Sequence, residues 1–291
     1  MQSKVYRKNR SKAGRNDSFV VIFLSLYTLT KRGRYKRPCS RFINRLSGAQ
    51  HFFMKIALIG YGKMGKIIEQ IALDRRHEIV LKIDISNQNE LTVENLKKAD
   101  VAIEFTVPSS AIANYKLCFD ADIPVVSGTT GWLDRKDEVE AEMKAKNGTF
   151  FYASNFSLGV NLFFALNKKL AQLMNGVEGY DVSMVEVHHT QKLDAPSGTA
   201  ITLAEELFEN YPAKTSWTMQ HPKSSQEMHI GALREGTVPG IHRIKYESDV
   251  DYIQIEHSAK SRHGFAFGAV LAAEYSFGKK GLLSMNDLLN L

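Results

Sequence analysis

Past residue 53 the chain alternates two kinds of apolar pattern. Lys55 to Ile59, Glu78 to Ile83, Val101 to Thr106, Pro124 to Ser127 and Phe150 to Tyr152 are short, nearly continuous apolar runs. That is the pattern of parallel strands covered on both faces. Lys66 to Leu73, Leu158 to Leu173 and Ala200 to Leu207 instead carry apolar residues at helical spacing. Asp181 to Val187 alternates as a half-buried strand, and Val238 to Ile244 and Asp251 to His257 read as further strands of an open sheet. Strands interleaved with helices in the first half predict a doubly wound parallel sheet, and the later pattern predicts an inserted α+β domain.

The first strand runs into Gly60-Tyr61-Gly62-Lys63-Met64-Gly65 and then into a helix. Strand, glycine turn and helix stand in the order a dinucleotide pyrophosphate needs. Glycines let the backbone approach the phosphates, and the helix N-terminus offers oriented N–H groups. The second strand ends at Asp84, placed to accept hydrogen bonds from the adenosine ribose. A carboxylate there repels a 2′-phosphate, Lys63 offsets part of that repulsion, and Ile85 adds no cation. The balance favours NADH, with NADPH also tolerated. Two other strand ends carry small polar residues, Thr106-Val107-Pro108 and Gly128-Thr129-Thr130-Gly131. The second turn has hydroxyls and N–H groups to face a nicotinamide ribose or carboxamide. Ala153-Ser154-Asn155-Phe156-Ser157 ends the fifth run and reads as the crossing into the second domain.

Charge changes the picture only at the N-terminus. The 291 residues carry a formal net charge of +7, which invites a nucleic-acid reading. Residues 1–53, however, hold thirteen Lys or Arg against one acid, Asp17, while residues 54–291 hold 25 basic against 30 acidic residues. The body is mildly acidic and lacks the clustered basic face that a phosphate backbone requires. The apolar patch from Phe19 to Leu29 is too short to span a membrane, which takes about 20 residues. It mimics a signal peptide, yet a basic run from Lys31 to Arg37 follows in place of a cleavage pattern. Met54 is therefore expected to be the natural start, with 1–53 as translated upstream sequence or a disordered tail; a targeting segment is the alternative. Two cysteines, Cys39 and Cys118, form no framework, which fits a reducing, cytoplasmic compartment.

The densest chemistry lies in Glu186 to Ala200, EVHHTQKLDAPSGTA. The strand delivers His188 and His189 to opposite sides, so the two imidazoles have different tasks. Lys192 follows in a loop that Asp194 caps or braces, and Ser197-Gly198-Thr199 opens a helix as an anion cradle. Adjacent histidines diverge and no third soft ligand is near, so no metal is expected. Together these groups specify a site for a small dianion with a proton donor.

The string at 186–200, the loop at 60–65, GTTGW at 128–132, SNFSLGVN at 154–161 and HSAKSRHGFAFGA at 257–269 resemble the dihydrodipicolinate reductase family across essentially all of 54–291. Two departures are visible: the loop reads GxGxxG where many members show GxxGxxG, and the segment between 210 and 240 is short. The resemblance implies NAD(P)H-dependent reduction of a cyclic imine dicarboxylate in lysine and diaminopimelate biosynthesis. It implies that His188 is the proton donor or acceptor, that Lys192 donates a proton while binding a carboxylate, and that His189, Gly198 and Thr199 contact substrate. Gly60, Gly62, Lys63, Met64, Gly65, Asp84, Gly128, Thr129, Thr130, Ser154, Asn155 and Phe156 are expected at the cofactor. The expected organisation is a nucleotide domain, 54–156 plus 262–291, with a substrate and oligomerisation domain at 157–261 that assembles a homotetramer. The bound dianion should keep Lys192 charged and raise the proton affinity of the nearby imidazole. The rival readings are another small-acid oxidoreductase on the same plan and a nucleotide sensor without chemistry. Neither a membrane nor a nucleic-acid partner is expected.

Overall fold

The computed structural model describes residues 53–291. Cys39, the basic runs, the apolar patch and the expectations about residues 1–52 lie outside the described residues. In chain order the elements are β1 (Lys55–Ile59), α1 (Lys63–Asp74), β2 (Glu78–Ile83), α2 (Val93–Leu96), β3 (Val101–Glu104), α3 (Pro108–Asp120), β4 (Val125–Ser127), α4 (Lys136–Ala145) and β5 (Thr149–Tyr152). Then follow α5 (Leu158–Met174), β6 (Asp181–His188), α6 (Gly198–Asn210), β7 (Ser216–Thr218), β8 (Glu227–Arg234), β9 (Ile241–Glu247) and β10 (Tyr252–Ser258). The chain closes with α7 (His263–Ser276), β11 (Gly281–Leu283) and α8 (Met285–Leu289).

The first sheet has the order β11-β5-β4-β3-β1-β2, with every pairing parallel. Its central strands β3 and β4 are buried throughout, as the continuous apolar runs require. The order reverses at β1, since β2 lies on one side and β3 on the other. Their carboxyl ends flank the crevice where open α/β sheets take ligands. On one face of the sheet, between α3 and β5, sits an aromatic cluster of Tyr115, Trp132 and Phe150, with ring centroids 4.9 to 5.6 Å apart. Helix α7 packs on the other face, where its Tyr275 meets Phe151 edge to face. A Cβ on Gly268 would lie 1.8 Å from the Phe156 carbonyl oxygen, so only glycine allows the approach.

The second sheet is mixed, in the order β10-β9-β6-β8-β7, with β9 antiparallel to both neighbours. Its inner face packs Met184, Ile230, Ile244 and Tyr246 against Phe163 of α5 and Leu203 and Leu207 of α6. The opposite face presents Ser183, Val185, Arg243 and Lys245 half exposed. No helix of the described residues is long and apolar enough to cross a membrane.

Several boundaries differ from the pattern-based expectation. The strand expected at Val238 to Ile244 runs from Ile241 to Glu247 instead. Pro239 cannot donate to a ladder, and Gly240 has φ +157°, so the pair holds the chain out of the sheet until Ile241. Helix α1 starts at Lys63 rather than Lys66, which places Met64 and Gly65 in its first turn.

Candidate active site

The glycine loop is tied to the end of β2, where the Gly60 and Tyr61 amides donate to the Ile83 carbonyl at 2.9 and 2.8 Å. Gly60 has φ +97°, and a Cβ there would lie 2.1 Å from the Phe105 carbonyl oxygen, where the loops after β1 and β3 meet. A Cβ on Gly65 would lie 2.6 Å from the Gly60 carbonyl oxygen, so helix and loop are in backbone contact. Gly62 faces open space and gives α1 no side-chain cap, leaving that corner clear for a ligand. Lys63 is exposed and Met64 half-buried on the first turn. Asp84 stands exposed at the end of β2, its carboxylate accepting from the Ser86 hydroxyl at 2.6 Å and amide at 2.7 Å. Those bonds hold its carboxyl below the usual carboxylate range.

The turn after β4 is built differently from the expectation. Of its two threonines only Thr130 is exposed; Thr129 is buried, its hydroxyl donating to Glu104 at 3.0 Å and accepting from the Thr106 amide at 2.8 Å. Glu104, fully buried, also accepts from Ser127 at 2.7 Å and from the Thr106 hydroxyl. A carboxylate on β3 thus knots two strand-end loops from below. Trp132 fastens the same turn from the other side, its indole N–H reaching the Thr129 carbonyl at 2.8 Å. Gly128 is required because a Cβ would lie 2.2 Å from the Phe105 ring. Phe156 is core, packed on Phe105 and Phe151. Asn155 is spent on its own loop, its Oδ1 accepting the Ser157 amide at 2.9 Å, while Ser154 is exposed.

In the second sheet, Glu186 and His188 share one face of β6 because they are two residues apart. His189 falls to the other side and is half-buried. Glu186 is fully buried. Its two oxygens accept the Ser197 amide at 3.1 and 3.0 Å, and Arg234 reaches one of them at 3.3 Å. His188 Nδ1 lies 3.5 Å from the other, and His242 Nε2 lies 3.7 Å from it. Ser197 caps α6 by accepting the Ala200 amide at 3.2 Å, and its hydroxyl meets His242 Nε2 at 3.1 Å. Gly198 is exposed and Thr199 half-buried on the first turn of α6. The loop between β6 and α6 is bolted by Arg234, whose guanidinium also donates to the Lys192 and Asp194 carbonyls at 3.2 and 2.6 Å. The Lys192 ammonium sits 2.8 Å from both Asp194 oxygens, which holds the Asp194 carboxyl below its usual range.

Burial lowers the His188 proton affinity; Glu186 opposes that, and Lys192 and Arg234 add to it. Without a bound dianion the imidazole is therefore depressed, opposite to the direction expected once substrate carboxylates are present. Burial, with His188 next, brings His242 down to about 3, so it is neutral. Donor atoms of Glu186, His188 and His242 lie within 4.8 Å of one another, a spacing that suits a cation. The carboxylate is already matched by Arg234 and the Ser197 N–H, and a metal beside that guanidinium and Lys192 would stack positive charge.

Sequence reasoning singled out His188, Lys192 and Asp194 and missed Glu104, Arg234 and His242. Arg234 and His242 come from β8 and β9, paired opposite His188 and Glu186, and no local pattern marks that pairing.

Comparison with known proteins places this geometry. Residues 54–156 match the family model described as dihydrodipicolinate reductase, N-terminus, and residues 159–289 match dihydrodipicolinate reductase, C-terminus. A 4-hydroxy-tetrahydrodipicolinate reductase of Christiangramia forsetii is 51% identical over 237 residues, covering 81% of this chain and 98% of the relative. One from Clostridium tetani is 32% identical, covering 82% of this chain and 98% of the relative. A dipicolinate-bound dihydrodipicolinate reductase from Paenisporosarcina sp. TG-14 shares the fold with a TM-score of 0.65 at 23% identity, covering 81% of this chain and 99% of that one.

Proposed function

The chain belongs to the dihydrodipicolinate reductase family and reduces 4-hydroxy-tetrahydrodipicolinate with a nicotinamide nucleotide; we propose that His188 and Lys192 manage the protons of that reaction. When bound, the nicotinamide supplies the hydride. Open space at Gly62, backbone contact between Gly60 and Gly65, and the ionised Asp84 fit a dinucleotide at the head of α1. Gly60, Gly62, Lys63, Met64 and Gly65 would cradle its pyrophosphate, Asp84 its adenosine ribose, and the loops at Gly128, Thr130, Ser154 and Asn155 its nicotinamide end. Thr129 and Phe156 serve from beneath, through the backbone they hold. Asp84 without a neighbouring cation at Ile85 favours NADH, with NADPH tolerated.

The substrate carboxylates would sit at the Gly198 and Thr199 amides heading α6, with His189 beside them and Lys192 as counter-cation. To serve there, Lys192 must leave Asp194. The incoming anions raise the proton affinity of the depressed His188 ring and bring it into the range where an imidazole exchanges protons. Lobe closure about 155–158 and 261–264 would join hydride and proton. The half-exposed outer face of the mixed sheet, with Val185, Arg243 and Lys245, fits burial against a second copy in a homotetramer. Cytoplasmic placement rests on the free, buried Cys118 thiol.

The observation that carries this reading is the convergence of His188 and the head of α6 on Glu186, with the Lys192 charge close enough to act on the His188 ring. The test is a coupled assay on residues 54–291 and on the full chain. Aspartate semialdehyde, pyruvate and the preceding synthase generate substrate, and absorbance follows NADH or NADPH oxidation. Lys192→Ala should cut turnover by roughly 100-fold or more with nucleotide affinity unchanged. Undiminished turnover in that variant would remove Lys192 from the role.

A further inference from the structure

Neither proton carrier explains Glu186, the most deeply buried acid of the second sheet. A fully buried carboxylate is costly, and it persists where its neighbours need it. We propose that Glu186 is the positioning residue for His188: its carboxylate fixes the N–H on Nδ1 and leaves Nε2 as the proton-exchanging atom, while the same carboxylate anchors the head of α6 through the Ser197 amide. The inference rests on the assignment of His188 as the proton carrier.

The geometry is asymmetric about the ring. Nδ1 is buried without a hydrogen bond of normal length, and Glu186 Oε2 is the acceptor beside it at 3.5 Å. Closing that gap needs a small ring movement, of the kind that tightens catalytic contacts once substrate is present. Nε2 lies on the Gly240 side, where a Cβ would come within 3.1 Å of it, so glycine keeps that nitrogen clear. His242 meets the ring edge to face, with centroids 5.1 Å apart, and its Nε2 is engaged with the Ser197 hydroxyl. Ring, cradle and carboxylate thus form one linked unit, and the proton carrier cannot tilt without disturbing the site's anion-binding end.

The charges facing His188 come from every neighbouring element. Glu186 lies on its own strand, Arg234 on β8 and His242 on β9, with Lys192 and Asp194 on the following loop. His257 of β10 reaches the cluster through His242. Asp194 is matched by Lys192, so Glu186 is the anion that balances Arg234 and supports a proton on His188. Replacing it by a neutral amide leaves Arg234 unbalanced beside the ring.

The test compares Glu186→Gln and Glu186→Asp with wild type in the full chain. In Glu186→Gln, kcat should fall by about 10- to 100-fold. The limb of the pH–rate profile that reports His188 should move to lower pH, and NADH affinity should stay unchanged. Glu186→Asp keeps the charge and should recover part of both effects. Imidazole 15N shifts in substrate-free protein give an arm independent of the reaction: wild type should show the proton on Nδ1, and Glu186→Gln a mixture of tautomers. An unmoved pH limb with an unmoved tautomer would overturn the proposal, whatever kcat does. If Glu186→Gln fails to fold, the wild-type tautomer carries the test, and a proton on Nε2 in place of Nδ1 in substrate-free wild type overturns the proposal equally. Failure of the reductase reading is seen separately, as wild type showing no synthase-dependent oxidation.

Discussion

Replacing Glu274 by Gln should cost about 3–5 kcal/mol of stability at pH 7, the usual consequence of removing one partner from a buried ion pair. Glu274 lies on α7, and its oxygens take Arg75 Nε and NH2 at 2.6 and 2.7 Å and His77 Nε2 at 2.8 Å. Side-chain exposures are 14% for Arg75, 3% for His77 and 9% for Glu274, so solvent screens little of this. The three groups join the corner between α1 and β2 to a helix reached about two hundred residues later. Burial pushes the Glu274 carboxyl up, but the bonds from His77 and Arg75 outweigh it and hold it below its usual range. A depressed carboxyl contributes stability above its unfolded value of about 4.3, and loses it as pH falls through the folded one. The gap between wild type and variant should therefore be full at pH 7 and shrink below about pH 4. Urea unfolding followed by Trp132 fluorescence in a Trp217→Phe background reads this lobe, since Trp132 is buried in its aromatic cluster. The Arg75→Ala, Glu274→Gln double variant should lose clearly less than the sum of the singles. A loss under about 1 kcal/mol at pH 7, or the same loss at pH 3 and pH 7, would refute the reasoning.

Two further outcomes follow from the nucleotide crevice. Gly60→Ala forces a side chain into a left-handed backbone and onto the Phe105 carbonyl, so NADH affinity measured by fluorescence titration should fall at least about tenfold; unchanged affinity would mean that the loop shifts freely. Asp84→Asn removes the charge facing a 2′-phosphate, so the ratio of kcat/KM for NADPH over NADH should rise about tenfold, and a flat ratio would take Asp84 out of cofactor choice.

The strands β1, β3, β4 and β5 were legible because burial on both faces writes itself as unbroken apolar runs, and the glycine loop because its conformations exclude other residues. The string around His188 was legible because its chemistry is contiguous. Glu104 was not, since a strand-end acid reads as solvent-facing until the hydroxyls of Thr106, Ser127 and Thr129 are seen to converge on it. Arg234 and His242 were hidden for another reason: they reach Glu186 through strand pairing, and register between distant strands leaves no local trace. The start of β9 was misplaced because Val238 reads as strand while Pro239 and Gly240 forbid it.

The last strand of the first sheet, β11, pairs in parallel with β5, and Lys279 closes the join by accepting from Thr149, 130 residues away. Between them lie the second sheet with α5 and α6, and then α7, which returns to the first sheet and packs Tyr275 on Phe151. During synthesis the amino-terminal strands therefore emerge with β5 as a bare edge, and the long detour must be made before that edge is covered. The intervening segment carries its own hydrophobic cluster, so it can collapse while the first sheet waits. Closure of so large a loop is slow, and the unpaired edge of β5 is the place where nascent chains of this protein are most open to wrong pairing.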